Sequence, residues 1–117
     1  MVRSKLDEHK LAESAPLQEL SPGEKVKRGP FELELIHLAH SIPDMRAVLL
    51  KTAAGSVLMT GDYKFDQAPV DGRPADVSRL AELGQEGLTL LCGDSTNADR
   101  PGVAPSESAV GPALFEQ

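Results

Sequence analysis

The chain has 117 residues and a formal net charge of −6, which bounds it at one domain, since a single core organises about 100 to 200 residues. Its 40% hydrophobic and 26% charged content excludes a disordered tail, and the acidic balance argues against a nucleic-acid surface held mainly by clustered Lys and Arg. Cys92 stands alone, so no internal disulfide can form. The stretch Met1 to Leu20 is charged, and no window approaches the roughly 20 apolar residues of a membrane span, which makes a reducing, cytoplasmic setting the expectation.

Arg3 to Ser14 reads as a short amphipathic helix, with Leu6 and Leu11 roughly sharing a face. Ala15 to Gly29 holds Pro16, Pro22 and Gly23, with Leu17 to Leu20 and Glu24 to Lys27 as short edge-like runs around a turn. Phe31 to Ala39 alternates from Phe31 through Leu35, the signature of a strand with one buried face. Ala47 to Thr52 and Ser56 to Thr60 are further strands, joined at Ala53-Ala54-Gly55 as a hairpin. After a polar loop from Gln67 to Pro74, Ala75 to Gly84 forms a helix with Val77, Leu80, Ala81 and Leu83 on one side and Gly84 or Gly87 as its stop. Leu88 to Cys92 is a nearly continuous apolar run, as expected of a central strand buried on both faces. A turn-rich loop leads from Asp94 to Pro105, and Ser106 is placed to cap a helix.

Three polar residues follow three of these apolar strands. His40 precedes Ser-Ile-Pro-Asp, where Pro43 stiffens the loop and the backbone can aim an imidazole at a metal; a lone histidine there also fits the commoner case of a loop residue bonded to backbone. Asp62 follows Gly61, where a carboxylate could bridge two cations or simply close a turn. Asp94 ends the last strand ahead of Ser95 and Thr96, and reads either as a site residue or as a turn former. Convergence on one sheet edge would make the three more informative than any one alone. His37 is not a chelating partner of His40, because three residues apart on a strand the side chains face opposite ways. Lys64 is open between orienting Asp62 and facing solvent, Asp66 reads as solvated, and Cys92 as a small core residue.

Gly29-Pro30-Phe31, His40-Ser41-Ile42-Pro43-Asp44, Thr60-Gly61-Asp62-Tyr63-Lys64-Phe65-Asp66, Pro69-Val70-Asp71-Gly72 and Asp94-Ser95-Thr96-Asn97-Ala98, in this order, closely resemble ribonuclease J. That family consists of metallo-β-lactamase-fold ribonucleases with an inserted β-CASP domain, and the likeness runs from near Lys5 to about Glu107. The resemblance implies an α/β (α+β) fold: the C-terminal half of an αββα sandwich over residues 1–98, and the beginning of β-CASP over 99–117. It makes His40 a ligand of one of two zinc ions, Asp62 the carboxylate bridging both, and Asp94 the acidic residue beside the centre. The implied reaction is hydrolysis of RNA phosphodiester bonds, 5′-to-3′ exonucleolytic and endonucleolytic, by a protein that assembles as a dimer or tetramer. The acidic balance is compatible with this, because bound cations supply positive charge to a phosphodiester.

The family's His-x-His-x-Asp-His motif is absent from this sequence, as is most of β-CASP. The expectation is therefore a fragment with an incomplete site, little or no nuclease activity, and an uncovered apolar face that favours self-association. Two other readings stand beside it. A hydrolase of the same superfamily acting on an ester or thioester keeps His40 and Asp62 but leaves the Asp94-Ser95-Thr96-Asn97 continuation without a role. A non-catalytic interaction module fits the acidic balance and the missing ligands.

Overall fold

Apolar β-formers broken by Gly, Pro and short polar turns give five strands and two α-helices among residues 2–111, which a computed structural model describes. In chain order these are α1 (Val2–Glu8), β1 (Lys25–Arg28), β2 (Phe31–His37), β3 (Arg46–Thr52), β4 (Gly55–Met59), α2 (Val77–Glu86) and β5 (Leu90–Cys92), with a final 3₁₀ turn at Glu107–Ala109. The strands form one mixed sheet in the order β1-β2-β3-β4-β5. Every neighbouring pair is antiparallel except β4 and β5, which α2 connects as a parallel pair. It follows that β2, β4 and β5 run in one direction and end at the same edge of the sheet.

The hairpin is where the sequence places it: Thr52 pairs with Gly55 across Ala53 and Ala54. Gly55 is required there, because its φ is +139° and a Cβ would collide with the side chain of Thr89. The second helix also forms, shifted to Val77–Glu86. Asp76 caps it by accepting from the Arg79 amide, and Gly87, with φ of +84°, returns its N–H to the Leu83 carbonyl. Of its expected apolar side, Leu83 is buried and Leu80 packs against the core, while Val77 and Ala81 face solvent.

Several local expectations give way to tertiary context. The first helix ends at Glu8, and none of its residues is buried, so no packing extends it toward Ser14. Leu17 to Leu20 forms no strand, whereas the neighbouring run becomes β1 by pairing with β2. In β2 the buried side is the opposite of the one that Phe31, Leu33 and Leu35 suggest: Glu34, Ile36 and Leu38 face the core, and Phe31 is 44% exposed. The cause is α2, which lays Arg79 against Glu34 at 2.7 and 2.9 Å while Leu83 joins Ile36, Leu49 and Leu58 in the core. A carboxylate is tolerated inside because the guanidinium meets it with two parallel bonds.

The other sheet face carries Val26, Leu33, Leu35, Val48, Leu50, Val57, Met59 and Leu90, aligned by strand register and all partly or fully exposed. No helix of the described residues covers that face as α2 covers its own. β5, expected at the centre, lies at the edge of the sheet among the described residues, with all three of its residues exposed. Its apolar run records a strand suited to two covered faces, neither of which is covered here.

Candidate functional site

The shared edge of β2, β4 and β5 gathers the loops that hold the three candidate residues. β3 begins only at Arg46, so beyond its start the continuations of β2 and β4 close over the gap. Ala39 and Lys64 form an antiparallel bridge, the Lys64 amide bonding the Ala39 carbonyl at 2.8 Å. This brings His40 alongside the Asp62–Lys64 segment directly. On the other side, the Thr60 amide donates to the Cys92 carbonyl at 3.0 Å, and the buried Thr60 hydroxyl accepts from the Asp94 amide at 3.1 Å. Asp62 and Asp94 are thus tied to one another through Thr60, a residue with no evident signal in the sequence.

Each candidate has a distinct setting. The His40 Nδ1 accepts from the Ile42 amide at 3.5 Å and lies 3.3 Å from the Ser41 hydroxyl, so the ring is held from its Nδ1 side. Gly61 takes φ of +61° at the end of β4 and turns the chain so that Asp62 is exposed. The Asp62 carboxylate makes no hydrogen bond or ion pair among the described residues. Asp94 accepts from both the hydroxyl and the amide of Thr96, at 2.6 and 2.9 Å on the same oxygen. Those two bonds, assisted by the Ser95 amide and by the nearby His40, hold its carboxyl below the ordinary carboxylate range. His37 is fully engaged: one ring nitrogen meets the Arg73 carbonyl at 2.9 Å and the other meets Arg46 at 2.7 Å.

Donor chemistry suits a metal, but the number of donors does not complete a zinc site. Among the described residues no group of three or more His, Cys, Asp or Glu side chains is arranged to hold a metal ion. Catalytic zinc sites typically take about three protein ligands plus water. His40 and Asp62 alone do not meet that need, so no reaction step is assigned to zinc on this chain.

Asp66 corrects a solvated reading. It is 5% exposed, accepting from the Ala68 amide at 3.0 Å and from the Glu107 amide and Ser106 hydroxyl at 2.8 and 3.0 Å. These bonds, that from Ala68 foremost, lower its pKa. Lys64 reaches the same segment, pairing with Glu107 at 2.9 Å and bonding the Pro105 carbonyl. Ser106 caps the 3₁₀ turn as its sequence suggests, accepting from the Ser108 amide. The only local hint of the Asp66 role is the carboxylate two residues ahead of Ala68, an Asx-type turn pattern. Cys92, expected in the core, is exposed.

A cleft of about 590 Å³ opens beside this edge. It is bounded by the loop after β2, which includes His40 and Ile42, by Pro69 and Val70, and by the Glu107–Gly111 segment. Asp62 and Asp94 lie outside it.

The fold and this edge define a mixed α/β unit in which three parallel-running strands deliver an imidazole and two carboxylates to one side of a sheet. By sequence, the chain is a relative of ribonuclease J, matching it as a partial chain. It is 51% identical to ribonuclease J of Mycobacterium tuberculosis over 96 residues, which is 82% of this chain and 17% of that protein. It is 46% identical to ribonuclease J of Mycolicibacterium smegmatis over 114 residues and 40% identical to that of Thermus thermophilus over 116, in each case 97% of this chain and 20% of the relative. The chain therefore spans about a fifth or less of the length of these relatives. No protein-family model matches it. No helix among the described residues is long and apolar enough to cross a membrane.

Proposed function

We propose that this chain is part of a zinc-dependent, ribonuclease J-like enzyme that hydrolyses RNA phosphodiester bonds, and that it supplies one side of a dinuclear centre. In this reading residues 1–98 are the C-terminal half of an αββα metallo-β-lactamase sandwich and 99–117 lead into β-CASP. His40 would be a ligand of one zinc, Asp62 the carboxylate shared between two, and Asp94 the acidic residue beside them. RNA is the substrate, the setting is cytoplasmic, and the longer protein assembles as a dimer or tetramer. The observation that carries the reading is the shared edge of β2, β4 and β5, together with ribonuclease J relatives that match nearly the whole chain. The uncovered apolar sheet face supports the sandwich, because such a face asks for a second layer.

On its own the chain is expected to have little or no nuclease activity, since the described residues assemble no group of three or more metal-binding side chains. Zinc titration by calorimetry tests the incompleteness: weak or undetectable binding is expected, and tight binding of two zinc ions by this polypeptide alone would refute it. For the ribonuclease assignment itself, the test is cleavage by a full-length parent of 5′-monophosphorylated RNA against a thioester. Turnover of the thioester without RNA cleavage would move the assignment to another hydrolase of the same superfamily. If the reading frame upstream of Met1 lacks a His-x-His-x-Asp-His motif, the chain is instead a non-catalytic module.

A further inference from the structure

We propose that Asp66 is a positioning residue whose buried carboxylate clasps the 105–109 segment across the sheet edge and makes it the movable wall of the cleft that contains His40. The proposal rests on contacts within this chain and does not depend on the nuclease reading. Three observations carry it. Asp66 is buried although it lies in a loop, and its partners at Ser106 and Glu107 stand 40 and 41 residues away in sequence. Those partners belong to the segment that faces His40 across the cleft. The segment brings almost no apolar burial of its own: Ser106 and Glu107 are half-buried, and Ser108 through Gly111 are exposed.

A segment with so little buried surface is held by its polar bonds, and the strongest of these converge on one carboxylate. Asp66 Oδ2 takes the Glu107 amide at 2.8 Å and shares the Ser106 hydroxyl, 3.0 Å away, with the Ala68 carbonyl at 2.8 Å, while Oδ1 is occupied by the Ala68 amide in its own loop. Lys64 adds its ion pair to Glu107 from the bridge that also fixes Ala39, next to His40. The clasp and the histidine are thus built on the same short stretch of backbone, so releasing the segment uncovers His40 without dismantling the sheet. Segments of this kind open locally at far lower cost than the core.

The test uses the whole chain with no metal or RNA present. Acylation of the three histidines by diethyl pyrocarbonate is followed by peptide mass spectrometry, in parallel with hydrogen exchange of the 105–109 segment. Losing two bonds to an ionised acceptor corresponds to about tenfold or more in local opening, so Asp66→Ala is expected to speed exchange of the Glu107 amide by that factor. His40 acylation should rise severalfold with His9 unchanged, and with His37 unchanged too, because although it also lines the cleft both its ring nitrogens are held by Arg73 and Arg46. Asp66→Asn, which keeps one acceptor oxygen, should fall between Asp66→Ala and the unsubstituted chain. If Asp66→Ala loosens the sheet itself, His37 will react faster together with His40. Ser106→Ala, outside the core, then decides: unchanged His40 overturns the clasp, and faster His40 with unchanged His37, in Asp66→Asn as well as in Ser106→Ala, supports it. An unchanged Glu107 amide in a folded Asp66→Ala variant overturns it as well.

Discussion

Replacing Arg79 by Ala removes the clamp between α2 and the sheet and leaves Glu34 as a buried carboxylate. The Glu34 side chain is 5% exposed and that of Arg79 16%, so both oxygens lose their partners where little water can replace them. Among the described residues Lys25, at 3.8 Å and half exposed, and the more distant Lys51 remain. Breaking a buried pair from one side costs about 3 to 5 kcal/mol, and the surviving lysines place this case near the lower end, at about 3 kcal/mol. For a chain of this size that is a fall in melting temperature of about 12 °C. The pH dependence gives a second, independent sign. With Arg79 present, the pKa of Glu34 lies below its ordinary 4.5, chiefly through the Arg79 hydrogen bonds. Its stabilising contribution is therefore complete above 4.5 and is lost only as pH falls through the lowered value. Without Arg79, burial dominates and raises the carboxyl pKa, so the variant regains stability as acidification neutralises Glu34. Urea unfolding followed by circular dichroism at pH 7 and pH 5 should show a deficit that shrinks at the lower pH. A deficit at pH 7 below about 1 kcal/mol, the range of an exposed pair, or one that widens at pH 5, would refute the clamp.

Other outcomes follow from the same structure. Leu50→Lys or Val57→Lys, on the uncovered sheet face, should shift the chain toward monomer in sedimentation velocity while changing stability by only about 0.5 kcal/mol; unchanged self-association, or unfolding, would show that face to be covered. Gly55→Val should cost at least about 1 to 3 kcal/mol, because φ is +139° and the new side chain meets Thr89 between β4 and β5; a chemical melt matching the unsubstituted chain would count against that turn. Cys92 is exposed and should react with a thiol reagent at one equivalent without denaturant; protection of the thiol would mean that β5 is covered. Removing Thr60's hydroxyl, as Thr60→Val, should loosen the Asp94 loop and speed hydrogen exchange of the Asp94 amide about tenfold; an unchanged rate would show that the hydroxyl does not hold the loop.

The placement of the three candidate residues was legible because they sit in short, ordered strings next to strands. His40, Asp62 and Asp94 each follow an apolar run, and the structure brings all three run ends to one edge. Asp66 and Thr60 were not legible, since the partners that define them, Glu107 for one and Asp94 for the other, lie 41 and 34 residues away. No local pattern encodes a bond of that range.

The sequence by itself determined the local elements: the Ala53-Ala54-Gly55 hairpin, a helix after Pro74 with Gly87 among its stops, and the Ser106 cap. These depend on backbone conformation and on hydrogen bonds only a few residues apart, although the start of the helix at Val77, capped by Asp76, emerged only in the structure. Tertiary structure alone decided which side of β2 is buried and that β5 stands at an edge. It also decided that Asp66 is a buried clasp rather than a solvated loop residue. Alternation shows that a strand has two unlike faces, but only the arrival of α2 with Arg79 makes the Glu34 face the inner one. Burial is a property of what packs against a residue, and for each of these positions the packing element comes from a distant part of the chain.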